Sequence, residues 1–206
     1  GDYPDILIGC AGGGSNAAGL IFPFMQNKLN GNRPNTRAIF VEPAACPSMT
    51  KGIYAFDYGD TAKFTPLLKM DTLGHDFVPP GIHAGGLRYH GMAPLVSHLH
   101  QLGLIEAASV MQTDVFESAV SFSRSEGIIP APESSHAIAK VRQLAEECKQ
   151  SGDEKTILFN LSGHGLMDLR GYELYFSGKL QNYSLPQDEI DKAVEIFKDY
   201  PKPVIV

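Results

Sequence analysis

The chain has 206 residues, a formal net charge of -6, 43% hydrophobic and 19% charged residues, the size and make-up of one substantial α/β domain or two small ones. The acidic balance excludes a general nucleic-acid binder, since nothing here would neutralise a run of phosphates, and no apolar stretch approaches the roughly 20 residues of a membrane span. Cys10, Cys46 and Cys148 form no Cys-x-x-Cys pair, and an odd number in a chain of this size reads as reduced thiols of a cytoplasmic protein. Cys10, inside an apolar run, reads as a small core residue. No secretory leader precedes the first strand, and a chain that opens on a core strand in this way reads as a portion of a longer polypeptide.

Asp5 to Ala11 is a short apolar run that stops at Gly12-Gly13-Gly14 and resumes at Ser15-Asn16-Ala17, the pattern of strand, glycine loop and helix. Arg37 to Pro43 is a second strand. Two strands joined by a helix of this length predict a βαβ unit and therefore a parallel sheet. Residues 44 to 91 are rich in glycine, proline and aromatic residues with weak periodicity, and a loop this long in a compact domain is usually functional. Helical patterns follow at Pro94–Leu104 and at Asp114–Arg124, where Asp114 is placed to cap the first turn. Another helix is expected at Ser134–Lys149, capped by Ser134 or Ser135. Lys155–Ser162 reads as the last strand and Leu185–Tyr200 as a polar closing helix. No repeat, low-complexity tract or linker divides the chain.

The glycine loop carries the first chemical signal. Glycines between a strand and a helix let the backbone approach an anion closely, with the free N–H groups of the helix start facing it. Each hydrogen bond to a charged oxygen contributes on the order of 1.5–3 kcal/mol, and the helix dipole adds roughly 0.3–1 kcal/mol. Ser15 and Asn16 supply side-chain donors, which suits a phosphate monoester with its exposed oxygens. Two other readings fit the loop alone. Gly12-x-Gly14-x-x-Ala17 satisfies the looser dinucleotide fingerprint, with Glu42 closing the second strand where a ribose-binding acid belongs. A purely structural turn would need only the glycines.

Further motifs bear on that choice. Gly12-Gly13-Gly14-Ser15-Asn16-Ala17, Val41-Glu42-Pro43, Gly127-Ile-Ile-Pro-Ala-Pro-Glu133-Ser134-Ser135-His136-Ala137 and Asn160-Leu161-Ser162-Gly163-His164-Gly165 occur in the order found in tryptophan synthase β chains, and residues 4 to 178 resemble that family. Cys46-Pro47 to Lys51-Gly52, Gly59-Asp60-Thr61, Thr65 to Met70 and His83 to Gly91 look like its second, longer β-chain type, which can occur apart from the usual α subunit. The resemblance implies a three-layer α/β domain with a mainly parallel twisted sheet, the second fold type of pyridoxal-phosphate (PLP) enzymes. It implies that Gly12, Gly13, Gly14, Ser15 and Asn16 bind the cofactor phosphate, that Glu133 lies beside the pyridine ring, and that Ser162 hydrogen-bonds the ring nitrogen. It also implies that the backbone carbonyls of Gly12, Tyr89 and Gly91 hold a monovalent cation, potassium or sodium. The reaction implied for the full-length homodimer is β-replacement, in which serine or a related amino acid loses its β-substituent and indole takes its place to give tryptophan.

Two departures qualify what is carried over. The family's cofactor-bearing lysine sits in a His-Lys-x-x-Asn context upstream of the glycine loop, and no lysine here follows a histidine. That lysine and the family's catalytic acid are expected in an N-terminal half outside these residues, so residues 1–206 would be the phosphate- and ring-binding portion and inactive alone. Arg88 stands where ordinary β chains carry an aspartate that helps close the site. A guanidinium there would face the substrate and grip a carboxylate bidentately, which leaves serine recognition and the response to an α subunit open. His98-x-His100 points apart on a helix and has no acidic or cysteine partner at ligand spacing, which argues against a transition-metal site. Neither Ser15 nor Ser162 lies in Gly-x-Ser-x-Gly. A nucleotide- or NAD-binding Rossmann-like domain and a non-catalytic binding domain remain as readings from other classes.

Overall fold

The computed structural model describes residues 3–205. In chain order the elements are β1 (Ile6–Cys10), α1 (Ser15–Leu29), β2 (Arg37–Pro43), β3 (Ile53–Asp57), β4 (Leu68–Thr72), α2 (Pro94–Gln101), β5 (Glu106–Val110), α3 (Gln112–Glu126), α4 (Pro132–Ser151), β6 (Ile157–Phe159), α5 (Leu169–Phe176) and α6 (Gln187–Ala193). Short 3-10 turns occupy Gly85–Leu87 and Val194–Asp199. β5, β2, β1 and β6 form a parallel sheet in that order, while β3 and β4 form a separate antiparallel hairpin.

The parallel sheet is covered on both faces, as parallel sheets require. Leu7, Ala38 and Phe40 point to one side, where they meet Ile21 and Met25 of α1 and Val96 of α2. Their neighbours Ile6, Ile8, Ile39 and Val41 point to the other and meet Ala137 and Leu144 of α4. The two-residue side-chain period of a strand thus divides one apolar run between two cores, giving the three-layer α/β arrangement that the family resemblance implies. α3 and α5 join outside α4 through Phe116 and Tyr172, whose rings meet edge to face with centroids 5.1 Å apart.

Several elements depart from the sequence expectation. The stretch 44–91 contains the β3–β4 hairpin, in which Asp57 and Thr72 are buried on one face and Asp71 on the other; buried polar residues on both faces erase the hydrophobic alternation that marks a strand. β5 and α5 are additional to the elements read from the sequence, and Glu-Ala-Ala-Ser-Val of β5 carries little strand propensity. α3 begins at Gln112, so Asp114 is an acid of the first turn and not its cap. α4 begins at Pro132 after Ala131, which places Ser134 and Ser135 inside the helix, both buried; proline at the first helical position is pre-set for helix entry. β6 ends at Phe159, leaving Asn160 to Ser162 beyond the strand, and the closing helix is α6 followed by a 3-10 turn.

His136, on the inner side of α4, is 3% exposed and its Nδ1 donates to the Pro132 carbonyl at 2.7 Å. Burial pulls its pKa down to about 4. In the unfolded chain a histidine titrates near pH 6.5, roughly. The unfolded state therefore binds more protons than the native state as pH falls from 6.5 towards 4, and stability is lost across that window, by about 3 kcal/mol for this group. Denaturant unfolding at several pH values between 7 and 4 should show a loss that His136→Gln reduces by about that amount. Parallel pH profiles for the two proteins would contradict the assignment.

Candidate active site at the carboxyl edge of the sheet

β1 delivers the chain to the carboxyl edge of the parallel sheet, the edge at which open α/β sheets bind ligands. Ala11 is still tied to the sheet, its N–H donating to Val41 at 2.8 Å. Gly12–Gly14 then turn the chain into α1, with Gly14 in the left-handed region at φ 94°. The helical ladder starts with the Ala18 N–H, which reaches the Gly14 carbonyl at 2.9 Å. The N–H groups of Ser15, Asn16 and Ala17 precede that ladder and form the donor-rich end of the helix. Ser15 and Asn16 are exposed there.

Residues 85–93 cross this loop at backbone-to-backbone distance. A Cβ on Gly12 would lie 2.7 Å from the Gly86 carbonyl oxygen and 2.8 Å from the Tyr89 ring, and one on Gly14 would lie 2.6 Å from Met92 Sδ. The Ala93 N–H donates to the Gly13 carbonyl at 2.9 Å. Of the three residues assigned to a cation, Tyr89 thus touches Gly12, while Gly91 pairs with Thr72 in an isolated bridge. Arg88 is exposed and donates to the Pro79 carbonyl at 2.6 Å.

The far wall comes from β6 and α4. Asn160 Nδ2 donates to Asn16 Oδ1 at 2.9 Å, joining the segment after β6 to the start of α1. The Ser162 N–H donates to Ser134 Oγ at 3.0 Å, and the two hydroxyls lie 3.2 Å apart. Glu133, half-buried, accepts the Gly86 N–H at 2.9 Å. Cys10 lies on the floor between them, its Sγ 3.7 Å from Asn16 Oδ1. Burial pushes the Cys10 thiol up to about 11; a hydrogen bond with Ser162 partly offsets this, and the charge of Glu133 adds to it. Cys10 therefore stays a neutral thiol at physiological pH. At the rim, Asp168 is raised by burial and by Glu133, with His164 and His83 acting in the opposite sense. Glycine loop, Glu133 and Ser162 are thus brought together from three separate stretches of sequence.

Glu42, the candidate ribose acid, is committed elsewhere. It is 1% exposed and its carboxylate accepts from Ser48 Oγ, the Met49 N–H, and both the N–H and hydroxyl of Thr50, at 2.6–3.3 Å. Burial still raises its pKa to about 7. The carboxylate stabilises the turn after β2 and leaves no oxygen free for a ribose.

Residues 1–163 match the family described as pyridoxal-phosphate dependent enzyme. The chain belongs to that family. It is 58% identical over 180 residues to a tryptophan synthase beta chain 2 of Methanosarcina mazei, covering 87% of this chain and 40% of that relative. The corresponding protein of Aquifex aeolicus is 58% identical over 182 residues, covering 87% of this chain and 42% of the relative. A tryptophan synthase beta chain of Pyrococcus horikoshii is 56% identical over 182 residues, covering 88% and 39%. The chain therefore spans about 40% of the length of the curated relatives it matches. Among solved structures, tomato (Solanum lycopersicum) threonine deaminase isoform 2 superposes with TM-score 0.58 at 19% identity, over 84% of this chain and 44% of that one. A Rhizomucor miehei L-serine ammonia-lyase gives 0.59 at 13%, over 87% and 51%. These two share the fold.

Within this family frame, sequence reasoning missed several members of the site. Ser134 holds Ser162 where a helix cap was expected. Cys10 is a core residue that also floors the site, and Asn160 braces Asn16. Only the position of Cys10 at a strand end next to the glycines signalled such a role. The close crossing of residues 85–93 gives a direct test. Gly12→Ala forces backbone apart, whereas a Cβ on Gly13 lies 3.4 Å from the Tyr89 ring edge and fits. Gly12→Ala should cost about 1–3 kcal/mol and Gly13→Ala clearly less in thermal or denaturant unfolding. Equal costs would show that the crossing is not as described.

Proposed function

We propose that this chain is the phosphate- and ring-binding portion of a tryptophan synthase β chain, an enzyme that exchanges the β-substituent of serine or a related amino acid for indole. The observation that carries this reading is the convergence of the glycine loop, Glu133 and Ser162 at one sheet edge, in a chain whose relatives bear that name. The site suits the cofactor: glycines keep side chains out of the cradle, the first N–H groups of α1 face outward for a phosphate, and a neutral hydroxyl stands opposite. PLP, when bound, supplies an electron sink for the reacting amino acid.

The chain's own residues would divide the work. Gly12 to Asn16 hold the phosphate by N–H donation and so fix the cofactor's position. Ser162 donates to the ring nitrogen. A carboxylate in its place would favour a protonated nitrogen, whereas the neutral Ser162 hydroxyl would partner an unprotonated one. Glu133 lies beside the ring, its carboxylate steadied by the Gly86 N–H. The carbonyls of Gly12, Tyr89 and Gly91 would take potassium or sodium. The lysine that carries the cofactor in this family is not matched in this sequence, so turnover requires the remainder of a β chain, and these residues alone are inactive.

Titration with PLP and with NAD separates this reading from the dinucleotide alternative. PLP should bind, and Ser162→Ala should weaken it about two- to tenfold, the equivalent of one hydrogen bond. Tight NAD binding without PLP binding would reverse the assignment. Arg88 has further N–H groups beyond the one given to Pro79, and we assign them to a carboxylate of the substrate. Arg88→Ala in an active, complete β chain should then lower kcat/KM for the amino-acid donor roughly tenfold or more; an unchanged kcat/KM for every donor tested would remove Arg88 from the site.

A further inference from the structure

Behind residues 85–93 lies a buried polar cluster on the β3–β4 hairpin that the proposed chemistry does not use. Asp57, which ends β3, has 0% exposure. Its Oδ1 accepts from His75 Nδ1 at 2.5 Å and from the Tyr58 N–H at 2.8 Å, and its Oδ2 accepts from the Thr72 hydroxyl at 2.6 Å. His75 is 1% exposed and its Nε2 makes no hydrogen bond among the described residues, so Asp57 is its polar anchor. Thr72 Oγ1 also lies 3.2 Å from the His90 carbonyl. The hydroxyl has one proton, and the shorter contact to a carboxylate takes it. The same oxygen accepts the Gly74 N–H at 2.9 Å.

β4 is in turn the rail on which the loop-crossing segment runs. The Leu73 N–H donates to the His90 carbonyl at 2.7 Å, the Met92 N–H donates to the Asp71 carbonyl at 2.9 Å, and Thr72 faces Gly91 across the bridge. One residue earlier, Asp71 fastens the rail to α2, accepting from His100 Nδ1 at 2.9 Å and Gln101 Nε2 at 2.7 Å. Met92 and Val96 then press on Gly14, and Ala93 holds Gly13. Adjacent residues of one strand, pointing to opposite faces, therefore grip the hairpin interior and the helix, and the strand's backbone carries the segment that covers the glycines.

We infer that Thr72 is a positioning residue for the glycine loop: its hydroxyl, by completing the partners of buried Asp57, sets where β4 lies and thereby how residues 89–93 close over Gly12–Gly14. The mechanical link stands on the contacts above; its consequence for the cofactor rests on the proposed function. Without the hydroxyl, the fully buried Asp57 Oδ2 loses its short donor and keeps near it only His90 Nε2, 3.9 Å away and engaged with the Tyr58 carbonyl, so the hairpin is expected to shift to satisfy it. The substitution Thr72→Val keeps the shape and removes the donor, whereas Thr72→Ser keeps the donor.

Hydrogen exchange read by mass spectrometry on this chain tests the link directly. Thr72→Val should accelerate exchange roughly tenfold in peptides covering 11–18 and 88–94 while β1 and β2 keep their wild-type protection. Thr72→Ser should stay within about twofold of wild type in both peptides. PLP affinity, measured in parallel, should fall roughly tenfold in Thr72→Val and recover in Thr72→Ser. Uniform acceleration across the chain, acceleration confined to the hairpin, or equal behaviour of the two variants would overturn the inference. A wild-type chain that binds no PLP, with the expected exchange pattern intact, would instead sink the cofactor reading and leave the mechanical link standing.

Discussion

The contact on which the rest of the structure depends is the one between Gly12 and the backbone of residues 86–89. No side chain fits there, because a Cβ would lie under 3 Å from atoms of Gly86, Leu87 and Tyr89. That single constraint brings three things to one place: the end of β1, the start of α1, and a segment carried on the β3–β4 hairpin. It also determines the polarity of the loop. The Gly13 carbonyl is taken up by Ala93, while the N–H groups at the start of α1 precede the helical ladder. Unpaired donors are left at the helix start and an acceptor is taken up by the crossing segment, the polarity an anion site would need.

The electrostatics of the floor follow from burial. Cys10 is held neutral, Ser134 and Ser162 bring only hydroxyls, and the Asn160 amide donates to Asn16 Oδ1. The formal charge on this wall belongs to Glu133, and it is fastened to the crossing segment through the Gly86 N–H. An aromatic ligand with a phosphate on one side and a ring nitrogen on the other would meet positive dipole at one end and a neutral hydrogen-bonding partner at the other. Glu42 shows the opposite use of an acid: four donors enclose it, and it organises a turn. The two carboxylates differ in that Glu133 accepts a single N–H, whereas the lone pairs of Glu42 are already taken.

Much of the central architecture was legible in the residues themselves. The apolar run 5–11, the three glycines and the second run at 37–43 specify strand, loop, helix and strand through local pattern and backbone permissiveness, and the observed sheet is parallel with helices on both faces. The hairpin is hidden for a physical reason: Asp57 and Thr72 are buried on one face and Asp71 on the other, and a strand that buries polar residues on both faces shows no hydrophobic period. Ser134 and Ser135 looked like caps because serine ahead of an apolar helical pattern usually is one, yet Ala131 and Pro132 start the helix earlier and turn Ser134 into the support of Ser162.

By itself, then, the sequence determined what local chemistry can determine: the glycine turn that only residues without a Cβ can make, the donor-rich helix start behind it, the strand periodicity that builds a two-faced parallel sheet, and, through motif order, the family. Which side chains meet was decided by tertiary structure alone. Asn16 and Asn160, Ser134 and Ser162, and Glu133 and Gly86 lie 28 to 144 residues apart in sequence, and such contacts follow from how the sheet edge, α4 and the hairpin-borne segment converge. A residue's propensity reports on its neighbours within a turn or two, whereas the partner of a buried hydroxyl or carboxylate is set by whichever distant donor the packing brings within about 3 Å.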